Sequence, residues 1–312
     1  MKKQIKKLID ENNSILLLTH IRPDGDAVGS VLSLYNYLSV LKKDVDIVII
    51  DAPTTFDFLP GYNDIKDNTD KHYDLGIVVD CATKERIGQN DDLLSRCKYT
   101  INIDHHVSNT KYGDLNYICG NISSCCQVIY DWFKENEICL SKDICSSLAT
   151  GMITDTNGFR NNNVDRDTFL MASDLLNYDI DFHKIYELVL FNKSVSKHNL
   201  MKIALERLEL LHDGKIAFTY LLKEDFEKVG AILGDHEGIV DIGRSIDGVE
   251  VSAFIRETDG FTISLRSTGV VDVNKIANSF GGGGHQMAAG GQIDRSLRET
   301  KEIVINEIKK VL

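Results

Sequence analysis

No stretch of this 312-residue chain approaches the roughly 20 consecutive apolar residues that a membrane-crossing helix needs. The basic opening, Met1 to Ile9, lacks the apolar core and small-residue cleavage site of a signal peptide; Ile5, Leu8 and Ile9 instead fit one face of a short helix. Cysteine pairs are missing too. The seven cysteines are odd in number and none falls in a Cys-x-x-Cys spacing, which argues for reduced thiols, a cytoplasmic setting and no structural zinc. Positive charge is scarce, with 35 Lys and Arg against 47 Asp and Glu and a net charge of −12. That balance opposes tight, nonspecific binding of long duplex DNA, which favours basic surfaces. There is no internal repeat, no low-complexity linker and no Gly-Lys-Ser/Thr phosphate loop.

The residues that are present make a sizeable core. At 43% hydrophobic, a chain of this length is expected to form two domains. The first half alternates apolar runs at 14–18, 45–50, 75–79 and 99–103 with helical spacing such as that from Val28 to Leu41. Val-, Ile- and Leu-rich runs separated by helices predict an α/β domain, a parallel sheet with helices on both faces. Helical spacing follows over 141–154 and 165–176, and a longer connecting helix or helix pair is expected over 192–211. Beyond Gly214 the texture changes to strands at 215–220, 249–255 and 261–266, a short turn at 258–260, and helices at 273–280 and 296–311. The predicted division is therefore a first domain over 1–190, a helical linker over 191–211, and a smaller mixed α/β domain over 212–312.

Four short acidic segments stand at the ends of these elements: T-H-I-R-P-D-G-D at 19–26, V-D at 79–80, D-H-H at 104–106 and T-D-T at 154–156. They offer His20, Asp24, Asp26, Asp80, Asp104, His105, His106 and Asp155. A single aspartate at a strand end is ordinarily a turn former or a helix cap. Four such segments at successive ends of one sheet domain are a different matter, because ligands of α/β sheets bind beyond the carboxyl ends of the strands. Carboxylates gathered that densely repel one another unless cations lie among them. Divalent ions held by shared carboxylates suit phosphate chemistry. Mixed imidazole and carboxylate donors favour Mn, Fe or Co over Mg.

A second constellation lies near the other end. The segment G-G-G-G-H-Q-M-A-A-G-G at 281–291 offers little packing surface, so its use would be close backbone approach to an anion or base. His285 within it, and Arg266, Ser267 and Thr268 at a predicted strand end, strengthen the reading of a phosphate-binding loop, since an arginine there can grip phosphate with two parallel hydrogen bonds.

Taken together, T-H-I-R-P-D-G-D-A-V-G-S, V-V-D-C-A, N-I-D-H-H-V-S-N and T-D-T-N-G-F-R resemble the four motifs of the DHH phosphoesterase superfamily. The glycine-rich segment resembles the signature of the associated C-terminal substrate domain. The likeness covers nearly the whole chain, in family order. It is strongest to the compact oligoribonucleases (nanoRNases) of very short RNA that also act as phosphatases on 3′-phosphoadenosine-5′-phosphate, pAp. The resemblance implies two divalent ions, Mn2+ first, with Mg2+, Co2+ or Fe2+ as alternatives. It implies that His20, Asp24 and Asp80 bind one ion and that Asp26, Asp80, His105 and Asp155 bind the other. Asp104 would orient the histidines, and His106 would contact the scissile phosphate or protonate the leaving oxygen. Arg266, Ser267, Gly283, Gly284 and His285 would hold a distal phosphate or terminal nucleotide. Expected partners are short single-stranded RNA or nucleotides such as pAp and pApA, with a homodimer left open. The alternative reading is a phosphodiesterase acting on cyclic di-AMP or pApA. A long-substrate exonuclease is opposed by chain length and acidity, a pyrophosphatase by the glycine-rich segment, and a non-catalytic sensor by the intact set of ligand positions.

Overall fold

The computed structural model describes residues 1–312, apart from the side chain of Leu233. The chain divides into two compact units, Met1–Asn192 and Lys193–Leu312.

In the first unit the strands are β1 (Ser14–Leu18), β2 (Asp44–Val48), β3 (Ile65–Lys66), β4 (Tyr73–Val79), β5 (Cys97–Asp104) and β6 (Leu115–Ile118). They form one sheet in the order β3-β2-β1-β4-β5-β6, and every pairing is parallel. The α-helices are α1 (Lys2–Glu11), α2 (Gly25–Val40), α3 (Cys125–Glu135), α4 (Lys142–Asp155), α5 (Arg166–Leu175) and α6 (Phe182–Tyr186). Strand side chains alternate between two apolar layers, as the period of two requires. Ile15, Leu17, Ile77 and Ile101 join a cluster with α1, α2, α3 and α4 residues such as Ile5, Val31, Trp132 and Leu148. Leu16, Leu18 and Val78 face the other way, onto Tyr73, Ile87, Leu93 and Leu94. That second face is covered by 3-10 turns within Lys84–Arg96 where the apolar runs alone predict α-helix. The short strands β3 and β6, at the two sheet edges, carry too few apolar residues to show the period in sequence.

The order 3-2-1-4-5-6 reverses direction between β1 and β4. A crevice opens at such a reversal, beyond the carboxyl ends of the two strands. Three of the acidic segments follow β1, β4 and β5 there. The fourth arrives on α4, because α2 and α4 pack unusually closely. A Cβ added to Gly29 would stand 2.5 Å from the Ser147 carbonyl oxygen and 3.1 Å from the Gly151 nitrogen. Small residues on both helices let the first turn of α2, which carries Asp26, lie beside the last turn of α4, which carries Asp155.

In the second unit, β7 (Glu209–Leu211), β8 (Ile216–Leu221), β9 (Val251–Thr258), β10 (Gly260–Ser267), β11 (Gly283–His285) and β12 (Ala288–Ile293) form a sheet ordered β11-β12-β10-β9-β8-β7. The pairing of β8 with β9 is parallel and the rest are antiparallel. The helices are α7 (Val195–Glu206), α8 (Lys223–Val229), α9 (Ile239–Arg244), α10 (Val273–Asn278) and α11 (Leu297–Lys309). Two findings differ from the sequence expectation. Residues 192–211 are not one helical connector: α7 stops at Glu206 and Glu209–Leu211 is the edge strand β7. Leu200 and Ala204 of α7 are buried with Leu221, Ile239 and Phe254, so this helix belongs to the core of the second unit. The glycine-rich segment is a hairpin, with Gly283 opposite Gly290 and His285 opposite Ala288. Glycine hides strand character in sequence because it has no side chain to show the period.

The close approach of α2 and α4 generates a test. Gly29→Ala should lower unfolding free energy by about 1–3 kcal/mol through overpacking, a drop of about 2–4 °C in thermal midpoint per kcal/mol for a unit of this size. A calorimetric midpoint equal to that of the parent would show that the helices can separate without penalty.

Candidate metal centre

Each acidic side chain at the crevice is held by a different local device, and the differences decide the chemistry. Asp24 is the N-cap of α2. Its Oδ1 accepts the backbone N–H of Asp26 at 3.0 Å and of Ala27 at 3.1 Å, as a helix start requires. Two residues on, Asp26 is buried, and its carboxylate accepts the N–H groups of Cys125 at 2.6 Å and Cys126 at 2.9 Å. Those donors are the free amides at the start of α3, so a helix N-terminus supports the negative charge. Burial still pushes the Asp26 carboxyl up, with the charge of His105 opposing that rise.

Asp104 is fully buried at the end of β5. Its Oδ1 accepts the His106 Nδ1–H at 2.7 Å and the His105 N–H at 2.8 Å, and its Oδ2 accepts Asn109 Nδ2 at 2.6 Å. Burial works against ionisation there, but the bond and charge of His106, with Asn109 and the His105 amide, outweigh it and hold the carboxyl below its ordinary value. Asp155, the last residue of α4, receives Asn163 Nδ2 on its Oδ2 at 3.3 Å. Burial and the charge of Asp26 push its carboxyl up to about 7, against the pull of His105.

Asp80 has no such support. It follows β4 with a left-handed backbone, φ 51°, is 2% exposed, and its Oδ1 has no hydrogen-bond partner. Burial, followed by the charges of Asp26, Asp24, Asp104 and Asp155, pushes its carboxyl well above the usual range. Imidazole nitrogens surround it: His20 Nε2 lies 3.7 Å from Oδ2, and His105 Nε2 and His106 Nδ1 lie 3.5 and 3.6 Å from Oδ1.

The histidines are oriented from behind. His20 Nδ1 meets the Ile21 carbonyl at 2.9 Å and His105 Nδ1 meets the Ile122 carbonyl at 3.2 Å. A carbonyl only accepts, so each Nδ1 carries the proton and each Nε2 faces carboxylates. The His105 Nε2 is 3.9 Å from Asp26, 3.5 Å from Asp80 and 3.8 Å from Asp155. These separations are too long for hydrogen bonds and leave room for an ion. Burial pushes the His20 imidazole down; at His105 burial has the same sense but Asp26 and Asp155 overcome it and raise the ring.

Two sets of ligand atoms with a common neighbour result. Those of His20, Asp24 and Asp80 lie within 4.8 Å of one another, as do those of Asp26, His105 and Asp155, with Asp80 beside His105. A third grouping, Asp80, Asp104, His105 and His106, overlaps both. The donor chemistry and the orphaned oxygen of Asp80 fit divalent cations, and every sequence-derived candidate in this unit is brought together. Asn163 and the paired amides of Cys125 and Cys126 support the cluster without having been singled out in sequence. The S-S-C-C-Q start of α3, with Ser124 as N-cap, was the available signal.

The candidates of the second unit are arranged differently. Arg266 is the penultimate residue of β10 and is half-buried, 3.9 Å from Asp241. Gly283, Gly284 and His285 are exposed along β11. Ser267 is fully buried, and its Oγ accepts the N–H groups of Gly269 at 3.0 Å and Val271 at 3.3 Å. It shapes the loop after β10 rather than presenting a free hydroxyl.

Residues 14–152 match the DHH family N-terminal domain, and residues 213–312 match the DHHA1 domain. The chain is 32% identical, over 99% of its length and 98% of the relative's, to a probable bifunctional oligoribonuclease and PAP phosphatase NrnA of Streptococcus mutans. It is 30% identical to the bifunctional oligoribonuclease and PAP phosphatase NrnA of Thermus thermophilus, over 95% of this chain and 90% of that one. The crystal structure of an exopolyphosphatase-related protein from Bacteroides fragilis superposes with a TM-score of 0.91 at 31% identity, covering 99% of this chain and 95% of that chain. The cyclic-di-AMP phosphodiesterase PdeA of Listeria monocytogenes is more distant, at 25% identity, and this chain spans 48% of it.

The raised carboxyls set a sign for stability. A group whose pKa is higher folded than unfolded makes the folded state bind more protons, so stability falls as pH rises from the unfolded value through the folded one. For Asp155 that window runs from about 4 to about 7. In chelator the thermal midpoint should therefore fall as pH rises across this range, and Mn2+ should reverse the fall because ligand binding needs the deprotonated forms. Asp80→Asn should raise the midpoint of the metal-free protein at high pH and weaken the Mn2+ response. A chelated parent whose midpoint climbs across the same range would contradict the geometry.

Proposed function

The chain belongs to the DHH family and carries its DHHA1 domain, and on that premise we propose that it is a metal-dependent phosphoesterase that hydrolyses di- to pentaribonucleotides to mononucleotides and removes the 3′-phosphate of pAp. The chemistry rests on one observation above all: a buried Asp80 carboxylate, unsatisfied by any hydrogen bond at Oδ1, stands between two sets of imidazole and carboxylate donors. The substrate class rests on the end-to-end likeness to relatives that carry those two activities in their names.

In this reading His20, Asp24 and Asp80 hold one divalent ion, and Asp26, Asp80, His105 and Asp155 hold the other, with Mn2+ the best match to mixed donors. Bound there, the ions supply charge neutralisation and Lewis acidity toward the phosphoryl oxygens. The chain's own contribution is orientation and proton supply. Asp104 keeps its negative charge, accepts from His106 Nδ1, and leaves Nε2 as the nitrogen that can hold a proton for the departing ribose oxygen. Asn109 fixes Asp104 in turn. On the second unit, Arg266 and the exposed backbone of Gly283, Gly284 and His285 bind a distal phosphate or terminal nucleotide, with Ser267 shaping the adjoining loop. The seven free cysteines accord with a cytoplasmic enzyme.

The proton-supply role gives the sharpest kinetic test. His106→Ala should slow hydrolysis of pAp and of a ribodinucleotide by about 10²–10⁴-fold. It should slow bis-p-nitrophenyl phosphate far less, because nitrophenolate leaves without a proton. Equal losses on both would assign His106 to binding. The substrate class is tested by product analysis in Mn2+ with pAp, pApA, a pentanucleotide, a long RNA and cyclic di-AMP in parallel. Loss of pAp and the short oligomers with the long RNA and cyclic dinucleotide intact is expected. Rapid opening of cyclic di-AMP would move the assignment to a signalling phosphodiesterase.

A further inference from the structure

The acidic centre accounts for a phosphate but not for a base, and a paired aromatic surface begins four residues from Asp155. After α4 the chain turns at once: Asn157, Gly158 and Phe159 have φ values of 48°, 64° and 67°. Left-handed backbone suits Gly158 and is tolerated at Asn157, but at Phe159 the Cβ crowds its own carbonyl. A strained residue beside a reactive centre calls for a reason. The turn is held by Gly158 N–H to Ile153 O at 2.8 Å, Arg160 N–H to Thr156 O at 2.9 Å and Phe159 N–H to Thr156 Oγ1 at 3.1 Å. It is also strapped to the acidic centre: Asn161 Nδ2 donates to the Asp155 carbonyl at 2.9 Å, and Asn163 Nδ2 reaches both Ser123 O and the Asp155 carboxylate. The Phe159 ring so placed lies nearly parallel to that of Phe169, with centroids 5.2 Å apart and planes at 14°. Phe169 projects from α5, whose Thr168, Met171, Ala172 and Leu175 are buried, and is itself 55% exposed. A large aromatic ring is thus kept in water, braced by a second ring.

We propose that the Phe159–Phe169 pair is a stacking platform for the base of the nucleotide whose phosphate is hydrolysed at the acidic centre. The proposal rests on the phosphoesterase reading above. Every nucleobase presents a π-face, so stacking holds a nucleotide without selecting its sequence. That is the recognition an enzyme of short RNA requires. Base and phosphate of one nucleotide are separated by a single ribose, and Phe159 follows Asp155 by four residues, on a turn hydrogen-bonded to it. Phe159 is half-buried against the core, and the competing account is that the exposed Phe169 ring meets a second copy of the chain.

The test uses the full-length protein with Phe169→Ala, Phe169→Leu and Phe169→Trp. Substrates are pAp and the 1,2-dideoxyribose bisphosphate that carries the same phosphates without a base. Phe169→Ala and Phe169→Leu should each raise KM for pAp by about 5- to 150-fold, with kcat near the parent's. Their KM for the base-less bisphosphate should match the parent's. In Phe169→Trp, KM for pAp should be retained and AMP should quench fluorescence at position 169, since the sole native tryptophan, Trp132, is fully buried. Equal KM changes on both substrates, absence of quenching by AMP, or dissociation of an oligomer in Phe169→Ala would each overturn the platform. A parent that hydrolyses neither substrate would overturn the phosphoesterase reading alone, because the AMP titration decides the platform without turnover.

Discussion

Mutual repulsion among buried and part-buried carboxylates is the constraint around which the first unit is built. Asp26, Asp80, Asp104 and Asp155 each feel the charge of at least one of the others or of a histidine between them. Taking such charges out of water is costly unless each is paired or hydrogen-bonded. The fold meets that demand separately for each group. Asp26 draws on the amides that open α3, Asp104 on His106 and Asn109, and Asp155 on Asn163. Of these, only Asp80 keeps a fully buried oxygen without a donor. The arrangement reads as a set of supports with one vacancy in hydrogen bonding, at a residue that belongs to the His20 and Asp24 grouping and lies 3.5 Å from His105 of the other. Stability given up at that point is the ordinary companion of a reactive site.

The scaffold explains why the charges can be gathered at all. A parallel sheet sends consecutive strands out at the same edge, so β1, β4 and β5 deliver three segments to one crevice. The reversal of strand order beside β1 opens that crevice. Two apolar layers, one packed by helices and one by 3-10 turns, fix the strand ends rigidly. The glycine contact between α2 and α4 then brings in the fourth segment, from a helix 130 positions along the chain from the start of α2, as Gly25 and Asp155 mark. Side chains on such rigid elements hold their geometry better than those on free loops.

Much of this was legible in the sequence, and the illegible parts share a cause. The strands β1, β2, β4 and β5 carry long apolar runs, and His20, Asp80 and Asp104 follow them at once, so both fold and site show. The edge strands β3 and β6 are too short to display a period. The β11–β12 hairpin is spelled in glycine and alanine, where strand propensity is weakest. Ser267 looked like a ligand by its place after Arg266, yet it is fully buried and its Oγ accepts from the Gly269 and Val271 amides. Sequence shows which residue types stand near one another; it does not show which backbone amides a hydroxyl will meet. Asn163 and the Cys125 and Cys126 amides were missed for the same reason, since supporting contacts between distant segments leave no local pattern.

Asp80 joins these threads. Its backbone φ of 51° breaks the strand geometry of β4, while its N–H still donates to Ile103 O at 3.0 Å, continuing the contact with β5. Among the described residues many other left-handed positions fall at helix ends and turns, such as Lys42 after α2, Glu137 after α3 and His212 after β7, where that backbone is common turn chemistry. Asp80 instead sits buried at the centre of the acidic crevice. Few residue types other than glycine tolerate the conformation; asparagine, aspartate and histidine are the main ones. Of those three only aspartate carries negative charge. Position 80 therefore suits aspartate twice, once by backbone sterics and once, on the proposed reading, by the anionic charge that would hold cations between the two sets of donors.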